Sequence, residues 1–302
     1  PARPYLLYVG TVQPRKNLVR LIEAFSQAHR ANPDLLLVIA GKRGWLTEAI
    51  ERRANELGIA EHVRFTGYVE DADLPILLSG ALAFALPSLY DSATKKYPLL
   101  LFIHGIGELG NGTTQLNNAA AVGVPSVIKW GQFPANFNVG GKNYSFIVIT
   151  PQFKKWPSPK DVNDMIDYAI KKYRIDTTRM YVSGLSMGGG ATWDYAAEYG
   201  KRIAAIVPIC GASGPNDTKA KKIAQAGLAV WAFHNKDDGT VPYTNSEGYV
   251  TKINAQNPPI KAKLTLWPTG GHDAWTKSTS PSYKEDGKNI YEWMLQYSRS
   301  AK

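Results

Sequence analysis

The 302 residues contain one cysteine, Cys210, which excludes an internal disulfide framework. No stretch approaches eighteen consecutive apolar residues, so no membrane-spanning helix is expected. No charged-then-apolar leader opens the sequence, and no signal peptide is expected within it. The formal charge is +10, but the lysines stand singly or in pairs. Without a basic tract to follow a phosphate backbone, nucleic acid is not an expected partner, and a basic solvated face accounts for the charge. What remains is globular composition: 44% hydrophobic, with 27 Gly and 19 Pro, is too apolar for disorder and sufficient for two domains or one large α/β unit.

The composition changes part-way along the chain. Residues 1–90 hold eight Arg and two Lys, whereas residues 91–302 hold four Arg and twenty-one Lys. Leucine falls from fifteen to ten across the same division, and asparagine rises from three to thirteen. Arg and Lys are similar helix formers, so secondary structure does not force the switch. Two origins joined near residues 87–91 explain it, as does one natural chain whose domains have different histories.

In the first segment, YLLYVG (5–10), LLLVIA (35–40), residues 63–66 and ALAFAL (81–86) read as buried strands. They alternate with helices over 17–31, 46–57 and 72–78, the first capped by Asn17, which predicts a parallel sheet covered on both faces. Gly10 leaves a strand tip, and Arg15 and Lys16 lie just before a helix, a loop suited to a diphosphate or equally to a plain polar surface. YVGTVQPRKNL, VIAGKRG, VRFTGYV and FALPSLY together resemble the nucleotide-sugar-binding C-terminal domain of group 1, GT-B glycosyltransferases. The resemblance implies that Arg15 and Lys16 match the cations at the donor diphosphate, with Gly10 at the close backbone approach. It stops where transfer needs it: the family's two acidic positions are Asp91 and Leu99 here, and the acceptor domain is missing. Transferase activity is expected to be absent, with any nucleotide binding vestigial.

In the second segment, strands at 97–104, 145–150, 179–183, 203–209, 228–234 and 262–267 alternate with helices at 161–173, 187–199, 219–226, 246–254 and 286–298. Residues 130–144 read as a long loop. Gly184-Leu185-Ser186-Met187-Gly188 sits between a strand and a helix, where small residues permit the sharp turn that raises Ser186 on a tip. His234-Asn235-Lys236-Asp237-Asp238 and Gly270-Gly271-His272-Asp273 each follow a later strand. The chain order Ser, Asp, His is that of α/β-hydrolases. Ser186 is the expected nucleophile and His272 the base, held by a carboxylate. Asp237 and Asp238 point to opposite sides of an extended loop, so one of them serves, while Asp273 lies too near His272 to reach its far nitrogen. The expected oxyanion donors are the N–H groups of Met187, at a helix start, and Ile106. His104 reads as packing behind the oxyanion loop and His234 as a strand-end buttress, so neither a metal nor another cofactor is expected.

LLLFIHGIGELG, YVSGLSMGGGATWDYA, WAFHNKDDGTVPY and GGHDAWTKS resemble α/β-hydrolases of the polyhydroxybutyrate-depolymerase, feruloyl-esterase and phospholipase/carboxylesterase group. The resemblance implies hydrolysis of carboxylic esters, small or polymer-borne, by enzymes that are often exported from bacteria. In such esterases the acid stands four residues after the strand-end histidine and three before the valine of Val-Pro; both spacings give Asp238. Trp130, Phe133, Phe137, Trp156 and Trp275 are candidates for an aromatic-lined pocket. The family's opening strands are missing, and only eleven residues, 87–97, separate strand 81–86 from the next. The expected architecture is therefore α/β throughout. An incomplete Rossmann-like three-layer fragment (1–90) is fused to an α/β-hydrolase domain (91–302), with strand 81–86 joining both in one extended, mostly parallel sheet. Two other readings of the same residues are a nucleotide-sugar-binding module carrying a vestigial hydrolase, and a recombined chain without a physiological substrate.

Overall fold

The computed structural model describes residues 3–13, 16–44, 47–85 and 95–300. The chain divides into two compact units, Pro1–Lys95 and Lys96–Lys302.

In the first unit, β1 (Tyr5–Val9), β2 (Leu36–Ala40), β3 (Val63–Gly67) and β4 (Ala83–Phe84) form a parallel sheet in the order β3-β2-β1-β4. Every residue of β2 is buried, as expected of a strand covered on both faces. On one face, Ile22 and Phe25 of α1 (Leu18–Ala31) and Ile50 of α2 (Glu48–Glu56) pack with Leu37 and Ile39. On the other, Tyr5, Leu7, Leu36 and Val38 pack with Leu77 of α3 (Leu74–Gly80). Asn17 precedes α1 in a left-handed conformation (φ 56°) and makes no side-chain cap, so its expected capping role is not realised.

The second unit has a six-stranded sheet in the order β12-β11-β10-β9-β5-β8, all of its pairings parallel. Its strands are β5 (Tyr97–Ile103), β8 (Ile147–Ile149), β9 (Ile175–Leu185), β10 (Ala205–Ile209), β11 (Ala229–Asn235) and β12 (Lys263–Trp267). The pleat sends Leu99, Leu101 and Ile103 to one face, against α5 (Pro159–Lys172), α6 (Met187–Tyr199), α7 (Asp217–Gln225) and α8 (Thr244–Ala255). Leu100 and Phe102 go to the other, with Val124 of α4 (Gly123–Lys129), Ala274 just before α9 (Trp275–Ser278), and Tyr291 of α10 (Ile290–Met294).

Three expectations are corrected. Among the described residues no strand is shared between the two sheets: β4 pairs with β1, and both edges of β5 are taken by β8 and β9. The 130–144 stretch is not all loop, because β6 (Phe137–Val139) and β7 (Lys142–Tyr144) form a hairpin. Its turn residues Gly140 and Gly141 both have positive φ, the requirement of a tight type I′ connection. The closing helix is only Ile290–Met294; Asp286 (φ 52°) and Gly287 (φ 75°) break the chain before it, and Asn289 caps it.

Candidate active site

Ser186 stands between β9 and α6 at φ 53° and ψ −115°, a strained conformation for a residue with a Cβ. Sterics explain the surrounding glycines. A Cβ on Gly184 would lie 2.5 Å from the Gly188 carbonyl oxygen, and one on Gly188 would overlap the Ile103 carbonyl oxygen. The turn is fixed from the neighbouring strand: Ser186 N–H donates to the Ile209 carbonyl (2.9 Å), and Ala212 N–H donates to the Ser186 carbonyl (3.0 Å). The N–H of Met187 opens α6, where first-turn amides lack partners within the helix.

His272 follows β12 and Asp238 follows β11. His272 Nε2 lies 2.9 Å from Ser186 Oγ, and its Nδ1 lies 2.7 Å from Asp238 Oδ2. Asp238 Oδ1 accepts the N–H groups of Thr240 (2.8 Å) and Val241 (2.9 Å). Burial pushes the Asp238 carboxyl up, but hydrogen bonds from His272, Val241 and Thr240 outweigh it and hold the group below its ordinary value. Ser186, His272 and Asp238 thus form one hydrogen-bonded network that brings together three strand tips. Asp237 turns away and accepts from Gly270 and Gly271 N–H, while Asp273 accepts from Thr276. Cys210 lies beneath, its Sγ clustered within 4.8 Å of donor atoms of Asp238 and His272. Burial pushes its thiol up to about 12, so it remains protonated, and His272 Nδ1 is engaged with Asp238; the set does not suit a metal ion.

The loop after β5, which carries Ile106, is pinned from behind. His104 is buried; its Nε2 accepts Phe153 N–H (2.9 Å), so its Nδ1 carries the proton donated to the Gly105 carbonyl (2.7 Å). The Ile106 N–H, trans to that carbonyl across the same peptide, is thereby fixed in direction. Gln152 supports the loop as well, donating to the Glu108 and Gln115 carbonyls. Sequence reasoning missed Gln152, because an isolated amide in a loop carries no pattern.

The aromatic candidates divide. Trp275 meets the His272 ring edge-on with centroids 5.3 Å apart, and Trp156 covers Gly190, one turn beyond Ser186. Phe137 is buried, and Phe133 packs edge-on against it and Tyr291; these two belong to the core and not to a pocket. Trp130 is exposed.

In the first unit, a cavity of about 380 Å3 opens at the carboxyl ends of β1 and β2, lined by Gly10, Thr11, Gly41, Lys42, Tyr68 and Asp71 among others. Gly10 lines it; among the described residues the cation lining it is Lys42, its ammonium 4.9 Å from the centre of the Tyr68 ring, and Lys16 does not line it. Arg15 and Asp91 lie outside the described residues. Leu99 is buried within β5.

The profile of the phospholipase/carboxylesterase family matches residues 86–281. The chain belongs to that family. This carboxylesterase-family chain also matches the profile of group 1 glycosyl transferases over residues 1–129, although residues from 96 onward are packed in the second unit. It is 27% identical over 206 residues to the bifunctional acetylxylan esterase/xylanase XynS20E of Neocallimastix patriciarum, covering 65% of this chain and 26% of that protein. Over 95 residues it is 37% identical to O-antigen chain mannosyltransferase B of Escherichia coli, covering 29% of this chain and 23% of that protein. A solved thermostable esterase superposes on 69% of this chain and 56% of its own length, with a TM-score of 0.53 and 26% identity. The chain thus spans about a quarter of the length of these two curated relatives. Among the described residues, no helix is long and apolar enough to cross a membrane.

Proposed function

We propose that the protein hydrolyses carboxylic esters through an acyl-enzyme on Ser186, with residues 91–302 as the catalytic domain. The observation that carries this is the unbroken chain from Ser186 Oγ through His272 to Asp238. Ser186 Oγ attacks the acyl carbon while His272 Nε2 takes its proton, and the imidazolium delivers that proton to the leaving alkoxide. Water, deprotonated by the same nitrogen, then attacks the acyl-enzyme and releases the acid. Asp238 holds the tautomer and supports the imidazolium, and the N–H groups of Met187 and Ile106 receive the oxyanion of both tetrahedral intermediates. No cofactor is needed. The test is hydrolysis of p-nitrophenyl acetate: turnover with burst release of nitrophenol is expected, and Ser186→Ala should abolish both. Activity unchanged in Ser186→Ala would overturn the reading.

The cavity containing Gly10 and Lys42 supports a second reading for residues 1–90, vestigial binding of a nucleoside-diphosphate sugar without transfer. The position matching the family's second carboxylate, Leu99, is a buried strand residue and has no charge to offer a sugar. Calorimetric titration with GDP-mannose, the donor named in one mannosyltransferase relative, tests binding; sugar transfer to any acceptor would contradict this assignment.

A further inference from the structure

Behind the triad stands a second imidazole. The side chains of His234, in β11, and of Asp238 are both 0% exposed. His234 Nε2 lies 3.1 Å from Asp238 Oδ2 and 3.0 Å from the Val241 carbonyl oxygen. Both are acceptors, so Nε2 carries a proton. Its Nδ1 lies 2.8 Å from Ser246 Oγ, on α8. Burial lowers the proton affinity of this imidazole, which keeps the ring neutral and leaves Ser246 O–H as the donor to Nδ1. The oxygen that receives His234 is the same one that receives His272 Nδ1. A continuous hydrogen-bonded chain therefore runs Ser186, His272, Asp238, His234, Ser246.

We propose that His234, tautomer-locked by Ser246, is a positioning residue for ester hydrolysis: by sharing Asp238 Oδ2 with His272 it fixes the carboxylate and draws charge from it. This rests on the hydrolase reading of the triad. A donor withdrawn from Asp238 leaves more negative charge facing His272, stabilising the imidazolium and disabling the base at a higher pH. The other titratable groups near His272 are Cys210, whose Sγ shares its cluster, Asp237, which receives the two amides just before it, and Asp273, the next residue. The hydrogen bonds of His234 go to Asp238, Val241 and Ser246 and to none of these groups.

The experiment compares His234→Phe, His234→Gln and Ser246→Ala in the full chain by two readouts. One is the pH profile of kcat/KM for p-nitrophenyl acetate; the other is the NMR titration of His272, assignable because the chain has five histidines. In His234→Phe both the acid limb and the His272 titration should move up by about half to one pH unit, the size expected for losing one donor to a buried carboxylate. His234→Gln, whose Nε2 reaches the same oxygen, should restore the wild-type position. Ser246→Ala should shift it in the same direction by less. A merely structural His234 would lower kcat/KM equally at every pH, with Gln no better than Phe; that result, or an unmoved His272 titration, overturns the proposal. Should His234→Phe not fold, Ser246→Ala decides it. Wild-type protein that hydrolyses no ester would overturn the hydrolase reading, while the NMR titration would still decide the role of His234.

Discussion

Asp237 and Asp238 are consecutive and serve opposite ends of one loop pair: Asp238 receives the His272 ring, whereas Asp237 receives the Gly270 and Gly271 amides just before it. One aspartate orients the imidazole, and the other holds the backbone that carries it.

Their substitutions should therefore separate. Asp238→Asn should lower kcat for p-nitrophenyl acetate by about 10²–10⁴, since an amide no longer enforces the tautomer or supports the imidazolium. Asp237→Asn keeps an acceptor oxygen for the amides and should cost less than about tenfold. The opposite ranking in steady-state assays would reassign the acid.

Gly188 has no room for a methyl group against the Ile103 carbonyl, whereas a Cβ on Gly214 meets nothing within 4 Å. Gly188→Ala should destabilise the second unit by about 2–3 kcal/mol, through backbone displacement in a packed turn. Gly214→Ala should be within about 0.5 kcal/mol of wild type. Urea unfolding of the two variants makes the comparison.

The first unit should weaken in acid. The His62 ring lies against that of His29, tilted by 43° with centroids 4.0 Å apart, and its Nδ1 is buried without a hydrogen-bond partner. Burial, then His29, Arg3 and Arg64, hold its proton affinity below the ordinary imidazole value of 6.5. The unfolded chain therefore binds the extra proton first, and stability present above pH 6.5 is lost as the pH falls through 6.5 toward the folded-state value. Hydrogen exchange at pH 5.5 and 7.5 should show α1 and β3 losing protection at the lower pH, and His62→Gln should reduce the difference.

The Arg299 guanidinium donates to the carbonyls of Gly200, Ile203 and Ala226, joining the ends of two helices to the residues just before β10. Arg299→Ala should cost about 2–3 kcal/mol, the scale of charge-assisted bonds left unmade. Lys should recover little of it, because a single ammonium cannot span three carbonyls. Thermal melts of the two variants test both statements.

Much of this was legible because the informative constraints are local. Apolar runs such as 99–103 and 229–233 have few alternatives to a covered parallel strand, and the glycines around Ser186 are dictated by contacts a Cβ would break. What escaped depends on distant partners. Ser246 sits on α8 like any helical serine until the fold brings it to His234. The hairpin strands are three residues each, and Lys142 and Asn143 gave no alternation to read. The last helix is short because the segment after it is claimed by β9: Arg179 donates to the Leu295 carbonyl and Tyr181 to that of Tyr297. The unshared sheet follows from β8, a strand whose importance lies in occupying the free edge of β5.

Ser186 and His272 are separated by 86 positions and stand just beyond strands β9 and β12, with β10 and β11 hydrogen-bonded between those strands. No local turn can bring Ser186 the imidazole it meets, because His272 lies 86 positions further along the chain. The contact between them therefore requires β9, β10, β11 and β12 to be in place together. A chain in which one of these four strands has come away leaves Ser186 without its imidazole, so under the proposed function ester cleavage would report the pairing of β9 through β12.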